Sequence, residues 1–130
     1  MAKMVLFSAV QGRVLEEGRP VSGATVEREY KWGWKDETGR DSTRTGPDGS
    51  FAMPAIERSS LLGSLLPHEP VIRQSLTIQH AGRSYEGWLY FKRNYRADGE
   101  LDGKPLKLVC RLERPAQRHG NGVYGICEFE

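Results

Sequence analysis

The clearest structural signal in the chain is the segment TVEREYKWGWK, residues 25–35. One set of alternate positions carries the side chains Val26, Arg28, Tyr30, Trp32 and Trp34. The other set is mostly charged. β-Branched and aromatic side chains that recur with a period of two are typical of a β-strand with one buried face. We therefore expect this segment to be a half-buried strand.

The rest of the chain repeats this pattern in short pieces separated by turns. The chain has 15 glycines and 7 prolines, which favour turns and argue against long helices. We expect strands at residues 8–16, 42–45, 50–55, 72–81, 83–92, 106–114 and 122–129. The pattern predicts one domain over residues 1–130, an all-β antiparallel sandwich of about seven strands.

One segment does not follow the strand pattern. Residues 59–66 read SSLLGSLL, and their leucines are spaced so that they would share one side of a short helix. Pro67 and Pro70 would end such a helix. The alternative is an apolar loop that lies over one end of the sheets.

The two cysteines indicate how the last two strands pair. If Cys110 lies opposite Cys127, one apolar face forms, as a sheet over a core requires. The same register gives the pairs Leu108–Phe129, Leu112–Gly125 and Arg114–Val123. Opposed cysteines can form a disulfide or remain as two buried thiols.

The expected compartment favours the thiols. The apolar stretch in residues 1–10 is shorter than the core of a secretory signal, and no convincing cleavage site follows it. The cysteines have neither CxxC nor zinc spacing. We therefore expect a cytoplasmic protein, in which thiols are usually kept reduced.

Composition excludes several classes of partner. Of the 130 residues, 38% are hydrophobic and 28% are charged, which is typical of a globular domain. No apolar run approaches the roughly 20 residues of a membrane span. The net charge of +2 is too small to indicate a nucleic-acid interface, although basic and aromatic residues alternate over residues 90–96. We expect neither nucleic acid nor membrane as a partner.

The residues that carry chemistry are scattered along the chain. His68, His80 and His119 are isolated, and the only pair with catalytic spacing is His80 with Ser84 across a turn. The glycines form no phosphate-binding motif. The loop carboxylates of residues 36–48 are more typical of solvated turns than of a calcium site. We expect no catalytic residue, no cofactor and no metal.

Residues 12–51 carry a recognisable motif. It consists of GRV at residues 12–14, GRPVSGATV at 18–26 and TRTGPDGSF at 43–51. This motif resembles the transthyretin-like β-sandwich domains, including the carboxypeptidase regulatory-like domains. The resemblance covers less than half of the chain and implies the sandwich fold.

The resemblance does not bring an activity with it. The enzymatic branch of this superfamily hydrolyses 5-hydroxyisourate and uses an N-terminal His, an Arg, a second His and a C-terminal Tyr-Arg-Gly-Ser stretch. Here the first histidine is His68, and the chain ends VYGICEFE. The whole chain is also similar to a small bacterial domain family associated with type VI secretion. That similarity implies a role beside a secreted effector.

The outer end of the strand at residues 25–35 is the candidate binding site. Trp32 and Trp34 are followed by Lys35, Asp36 and Glu37, and Arg40 comes soon after. Tryptophan beside arginine and acidic residues is typical of interface hot spots, and we expect this end to project on a long hairpin. The structural alternative is a tryptophan that plugs the end of the sandwich.

We therefore expect a non-enzymatic module that binds a protein. The most specific version is a bacterial immunity or accessory protein that occludes a type VI effector. The alternative is a carbohydrate- or surface-binding sandwich, in which exposed Trp32, Trp34 or Trp88 would stack on sugar rings.

Overall fold

The computed structural model describes residues 3–59 and 65–130. Apart from two 3₁₀ turns at Gly99–Leu101 and Gly120–Gly122, the elements of these ranges are β-strands. The prediction of an all-β fold is confirmed. The strands are β1 (Lys3–Phe7), β2 (Val10–Glu16), β3 (Arg19–Pro20), β4 (Thr25–Trp32), β5 (Glu37–Arg44), β6 (Ser50–Met53), β7 (Ile56–Ser59), β8 (Ile72–His80), β9 (Arg83–Lys92), β10 (Leu106–Arg111), β11 (Gln117–Arg118), β12 (Tyr124–Gly125) and β13 (Cys127–Phe129).

The strands form two main sheets that pack as a β-sandwich. The larger sheet has the order β11-β12-β9-β8-β4-β5 and is antiparallel throughout. The smaller has the order β13-β10-β2-β3, with β6 also paired to β2, and its β2–β10 pair is parallel. Strands β1 and β7 form a separate two-stranded ribbon.

The thirteen described strands exceed the predicted seven because several contain only two or three residues. Most of the predicted short helix, residues 60–64, lies outside the described residues.

The alternation of the central strand is confirmed. In β4 the side chains of Val26, Arg28, Tyr30 and Trp32 are buried. The hairpin that follows differs from the prediction, because β5 begins at Glu37 and pairs with β4 over eight residues. The turn between them spans only residues 33–36. Its residues therefore lie close to the end of the sheet rather than on a long projecting hairpin.

One extra residue in β9 reverses the faces of its side chains. Leu76 pairs with Trp88, but Thr77 pairs with Glu86, so Gly87 is an extra residue in β9. Such a bulge moves every later side chain to the opposite face. Trp88 is therefore fully buried, and Phe91 is 45% exposed.

The C-terminal pairing is confirmed at its centre. Cys110 lies opposite Cys127, and Leu108 lies opposite Phe129. The two cysteines form a disulfide, so the prediction of buried thiols was wrong. Both are fully buried and directly opposed on neighbouring strands, which places their sulfur atoms within bonding distance.

The pairing predicted before Cys127 was wrong. Gly125 pairs with Gln117 of β11, and Tyr124 pairs with Leu89 of β9, so this segment belongs to the larger sheet. The predicted pairs Leu112–Gly125 and Arg114–Val123 do not form. Gly125 has a φ of 144°, and a Cβ there would lie 2.1 Å from the Gly87 carbonyl oxygen. Only glycine fits this crossing from one sheet to the other.

A polar network crosses the buried interior and fixes the connection between β9 and β10. The Glu100 carboxylate accepts hydrogen bonds from the backbone N–H and the hydroxyl of Ser8 and from the Gln74 amide. Lys92 Nζ donates to the carbonyl oxygens of Val5 and Arg96. Burial lowers the pKa of Lys92, and Glu100, 3.8 Å away, opposes that shift. Because these groups are satisfied, the network can be buried without a large penalty.

None of the described helices is both long and apolar enough to cross a membrane.

Candidate functional site

Four aromatic residues meet at the end of the sandwich where β4 turns into β5. We call Trp32, Trp34, His68 and Tyr95 the aromatic cluster. His68 stacks on Trp34 with ring centroids 4.1 Å apart and planes inclined by 11°. Trp32 contacts Tyr95 edge-on, with centroids 6.0 Å apart. These residues come from the end of β4 and the turn after it, the loop before β8 and the connection after β9, so the cluster joins three separate segments.

Hydrogen bonds fix the orientation of the cluster. Trp32 Nε1 donates to the Tyr95 hydroxyl oxygen at 2.9 Å, and that hydroxyl lies 2.7 Å from His68 Nε2. His68 Nδ1 lies 2.9 Å from the carbonyl oxygen of Leu66. The Trp32 N–H can only donate, so the Tyr95 oxygen accepts from it and can donate its own O–H to His68 Nε2. His68 then donates from Nδ1 to Leu66, which holds both rings in place.

Outside buried Trp32, the cluster is partly buried, and exposed apolar side chains lie in the same loop as His68. Trp34 is partly buried against the core, and Lys35 Nζ lies 4.7 Å from the centroid of its ring. In the loop before His68, Leu65 is 67% exposed and Leu66 is 50% exposed. The exposed leucines and the fixed indole place apolar side chains at the same end of the sandwich.

The other predicted site residues lie in different environments. Trp32 is only 2% exposed, which removes it from any contact surface. Glu37 faces inward, where it accepts a hydrogen bond from the Tyr30 hydroxyl and another, 2.7 Å long, from Arg58. The Tyr30 hydrogen bond, with Arg58, lowers the pKa of the Glu37 carboxyl. The six predicted residues therefore do not form one continuous surface.

Asp36 and Arg40 remain accessible, but on separate parts of the hairpin. Asp36 lies in the turn, with its carboxylate 4.0 Å from Lys31 Nζ. Arg40 forms a 2.7 Å ion pair with Glu29 on the outer face of the larger sheet. Trp34, Lys35 and Asp36 thus remain at the sandwich end, while Arg40 belongs to a neighbouring face.

The burial of two tryptophans limits the carbohydrate alternative. Trp32 and Trp88 are 2% and 0% exposed, so neither can stack on a sugar. Trp34 is the remaining tryptophan, and His68 already covers one face of its ring.

The structure does not bring together the pair with catalytic spacing, His80 and Ser84. His80 lies opposite Arg83 in the β8–β9 hairpin, and Ser84 lies opposite Gln79. Over the ranges 3–59 and 65–130, no hydrogen bond joins His80 to Ser84. The same ranges contain no group of three or more residues suited to hold a metal. Lys92, one of the basic residues in the alternating stretch, is fully buried.

The positions of His68 and Tyr95 were not predictable from the local sequence. His68 lies between two prolines in a loop, and Tyr95 lies in a polar connection 27 residues further along. Neither has a periodicity that relates it to Trp34. Only the packing of three segments brings them together.

Comparison with known proteins identifies the family. No curated protein and no solved structure matches the chain. A family model matches residues 10–115, a range that runs from β2 through β10 and includes the four residues of the aromatic cluster. The chain therefore belongs to the family described as Domain of unknown function (DUF6795).

Proposed function

We propose that this protein is a non-enzymatic module that binds another protein through the sandwich end centred on Trp34. The observation that carries the proposal is the fixed, stacked indole of Trp34 at the same end as the exposed Leu65 and Leu66. Interface hot spots are enriched in tryptophan held in a defined geometry. Exposed large apolar side chains also mark interaction sites when they occur together.

The charges around Trp34 support recognition of a protein surface. Lys35 lies over the indole, and Asp36 is exposed in the same turn. Mixed charges around an apolar centre give an interface its orientation and raise the rate of association. We expect mutation of Lys35 to change the association rate and mutation of Trp34 to change the dissociation rate.

The more specific proposal is an immunity or accessory protein that occludes a secreted type VI effector. It follows from the similarity to the bacterial family and from the charged and aromatic residues of the β4–β5 turn. The transthyretin-like motif of residues 12–51 bears on the fold alone, and its glycines Gly18, Gly23 and Gly49 have φ values of 78°, 75° and 78°. Those positions need glycine for steric reasons.

A cytoplasmic location is part of this proposal. Disulfides persist mainly in oxidising compartments, so the Cys110–Cys127 bond makes the location worth testing directly. Recovery of the protein in the cytoplasmic fraction of host cells would support the proposal. Recovery in a periplasmic or secreted fraction would contradict it.

The test of the proposed function is a comparative capture experiment. Tagged wild type, Trp34→Ala and Phe91→Ala are used as baits in host extract, and bound proteins are quantified by mass spectrometry. Phe91 is a matched control, since it is an exposed aromatic residue on the outer sheet face. We expect one partner that wild type and Phe91→Ala retain and Trp34→Ala loses. A partner retained equally by all three baits would overturn the proposed surface.

A further inference from the structure

The larger sheet ends in a long strand with a free edge. β5 has eight residues and pairs along its whole length with β4. In the described part of the chain, it has no hydrogen-bonded strand on its other side. An unpaired edge presents backbone N–H and C=O groups that can pair with a strand from another molecule.

Several features that usually protect such an edge are missing from β5. Its sequence, ETGRDSTR, has four charged residues but no proline and no lysine, and its pairing with β4 has no bulge. Asp41 lies on the inner side, where buried Arg28 donates it hydrogen bonds of 2.6 and 2.9 Å. The edge therefore remains open to strand addition.

The outer sheet face beside this edge is positively charged. Thr38, Lys31 and Arg73 are direct cross-strand neighbours, and Arg40 lies on the same face. Together with Glu29 they line a hollow of about 480 Å³. Three cations thus line the hollow with one carboxylate, and Asp36 lies outside it, 4.0 Å from Lys31 Nζ. Among the described residues, Arg73 has no ion pair, whereas Arg40 is paired with Glu29 and Lys31 with Asp36.

We propose that β5 accepts an extended acidic segment of a partner protein as an additional strand. Side chains at alternate positions of a strand lie on one face, so the segment would carry acidic residues at every second position. One of these carboxylates would occupy the hollow between Lys31, Arg40 and Arg73. Main-chain hydrogen bonds would supply affinity, and the hollow would supply specificity.

The charges on β5 argue against a second copy of this chain as the occupant. An antiparallel pair of β5 strands centred on Arg40 or Asp41 would place that residue opposite its own copy. A pair centred on Gly39 would place Glu37 opposite Asp41, and one centred on Ser42 would place Arg40 opposite Arg44. Each arrangement opposes like charges, which destabilises a strand pair.

The electrostatic part is tested with a fluorescein-labelled octapeptide of alternating glutamate and threonine, titrated by fluorescence anisotropy. We expect Arg73→Glu to weaken binding about tenfold or more and Arg73→Lys to retain most of it. Lys107→Glu is the matched control, because it makes the same charge change at an exposed position on the smaller sheet. Absence of peptide binding to wild type, or equal weakening by Lys107→Glu, would overturn the proposal.

The strand-addition part is tested with two N-methylated versions of the same peptide. One version is methylated at its glutamates and the other at its threonines, because alternate N–H groups of a strand point to opposite edges. We expect one version to bind like the parent and the other to lose most of its affinity. Equal affinity of both methylated versions and the parent would show that no strand is added.

This proposal is separate from the surface at Trp34. Trp34→Ala should bind the acidic peptide as wild type does, because Trp34 does not line the hollow. Loss of peptide binding in Trp34→Ala would contradict this separation. The two proposals can therefore fail independently.

Discussion

The imidazole of His68 stacks on the indole of Trp34, with ring centroids 4.1 Å apart. The same imidazole is hydrogen-bonded to the Tyr95 hydroxyl and to the Leu66 carbonyl oxygen. One side chain therefore attaches the loop before β8 to the turn between β4 and β5. The binding surface that we propose depends on this attachment, because it fixes Trp34 and the backbone next to the exposed leucines.

Removing the imidazole should loosen the sandwich end. We expect His68→Ala to lower the free energy of unfolding by about 1 kcal/mol, the typical value of an aromatic pair beyond its buried area. Chemical denaturation measures this change, and altered tryptophan fluorescence should accompany it. His68→Phe is the control, since it keeps a ring for stacking and loses both hydrogen bonds. Identical stability and fluorescence in wild type and His68→Ala would contradict this role for His68.

Removing the Asp41 side chain should destabilise the protein more than the loss of an exposed ion pair would. Arg28 is 1% exposed, and Asp41 is its carboxylate partner on β5. Asp41→Ala leaves a buried guanidinium without its counter-charge, which costs about 2 kcal/mol, less than in a fully buried pair because the Asp41 side chain is 43% exposed. Urea denaturation measures the change. The control is Glu29→Ala, which breaks an exposed pair with Arg40 and should cost less than about 1 kcal/mol. Equal small effects of the two variants would refute the prediction.

The Glu37 carboxyl should make stability depend on acid pH. Its pKa in the folded protein is lowered, because Tyr30 and Arg58 hydrogen-bond to its charged form. A lowered pKa contributes stability above the ordinary carboxyl pKa, and this stability is lost as pH falls through the folded-state value. Wild type should therefore be more stable than Glu37→Gln at neutral pH.

The measurement is the difference in unfolding free energy between these two proteins as a function of pH. It should shrink as the pH falls below about 4, where carboxyl groups in unfolded chains become protonated. Other carboxyl groups with lowered pKa, such as Glu113, titrate in both proteins and cancel in the difference. A difference in unfolding free energy that stays constant with pH would contradict a lowered pKa of Glu37.

Loss of the disulfide should destabilise the C-terminal pairing. Cys110 and Cys127 are 17 residues apart. Closing a loop of this length restricts the unfolded chain and so stabilises the folded protein by about 3 kcal/mol. We expect the double variant Cys110→Ser/Cys127→Ser to lose about this much stability and to be insensitive to reductant. Wild type should lose stability only when reductant is added. If reductant left the stability of the wild type unchanged, that result would contradict a stabilising contribution of the disulfide.

Sequence alone predicted the strands whose periodicity is regular. The alternation from Val26 to Trp32 identified β4 and its buried face, and the cysteine positions identified the centre of the β10–β13 pair. The bulge at Gly87 was not predicted, because an extra residue in a strand leaves no mark in local alternation but reverses every later side chain.

Long-range contacts explain the remaining failures at the candidate site. Trp34 was identified by residue type, but its position against His68 depends on a loop more than thirty residues away in sequence. Trp32 was expected to contribute to the surface, yet it fills the core and donates to Tyr95. The free edge of β5 follows from sheet order, which no local pattern specifies.

The most direct test of the central claim is the affinity of the captured partner for purified variants, measured by calorimetry. We predict that Trp34→Ala weakens binding by about 30-fold or more, as truncation of a hot-spot residue does, while its unfolding transition remains cooperative. Phe91→Ala, the matched control, should bind as wild type does. Unchanged affinity of a folded Trp34→Ala variant would contradict the account.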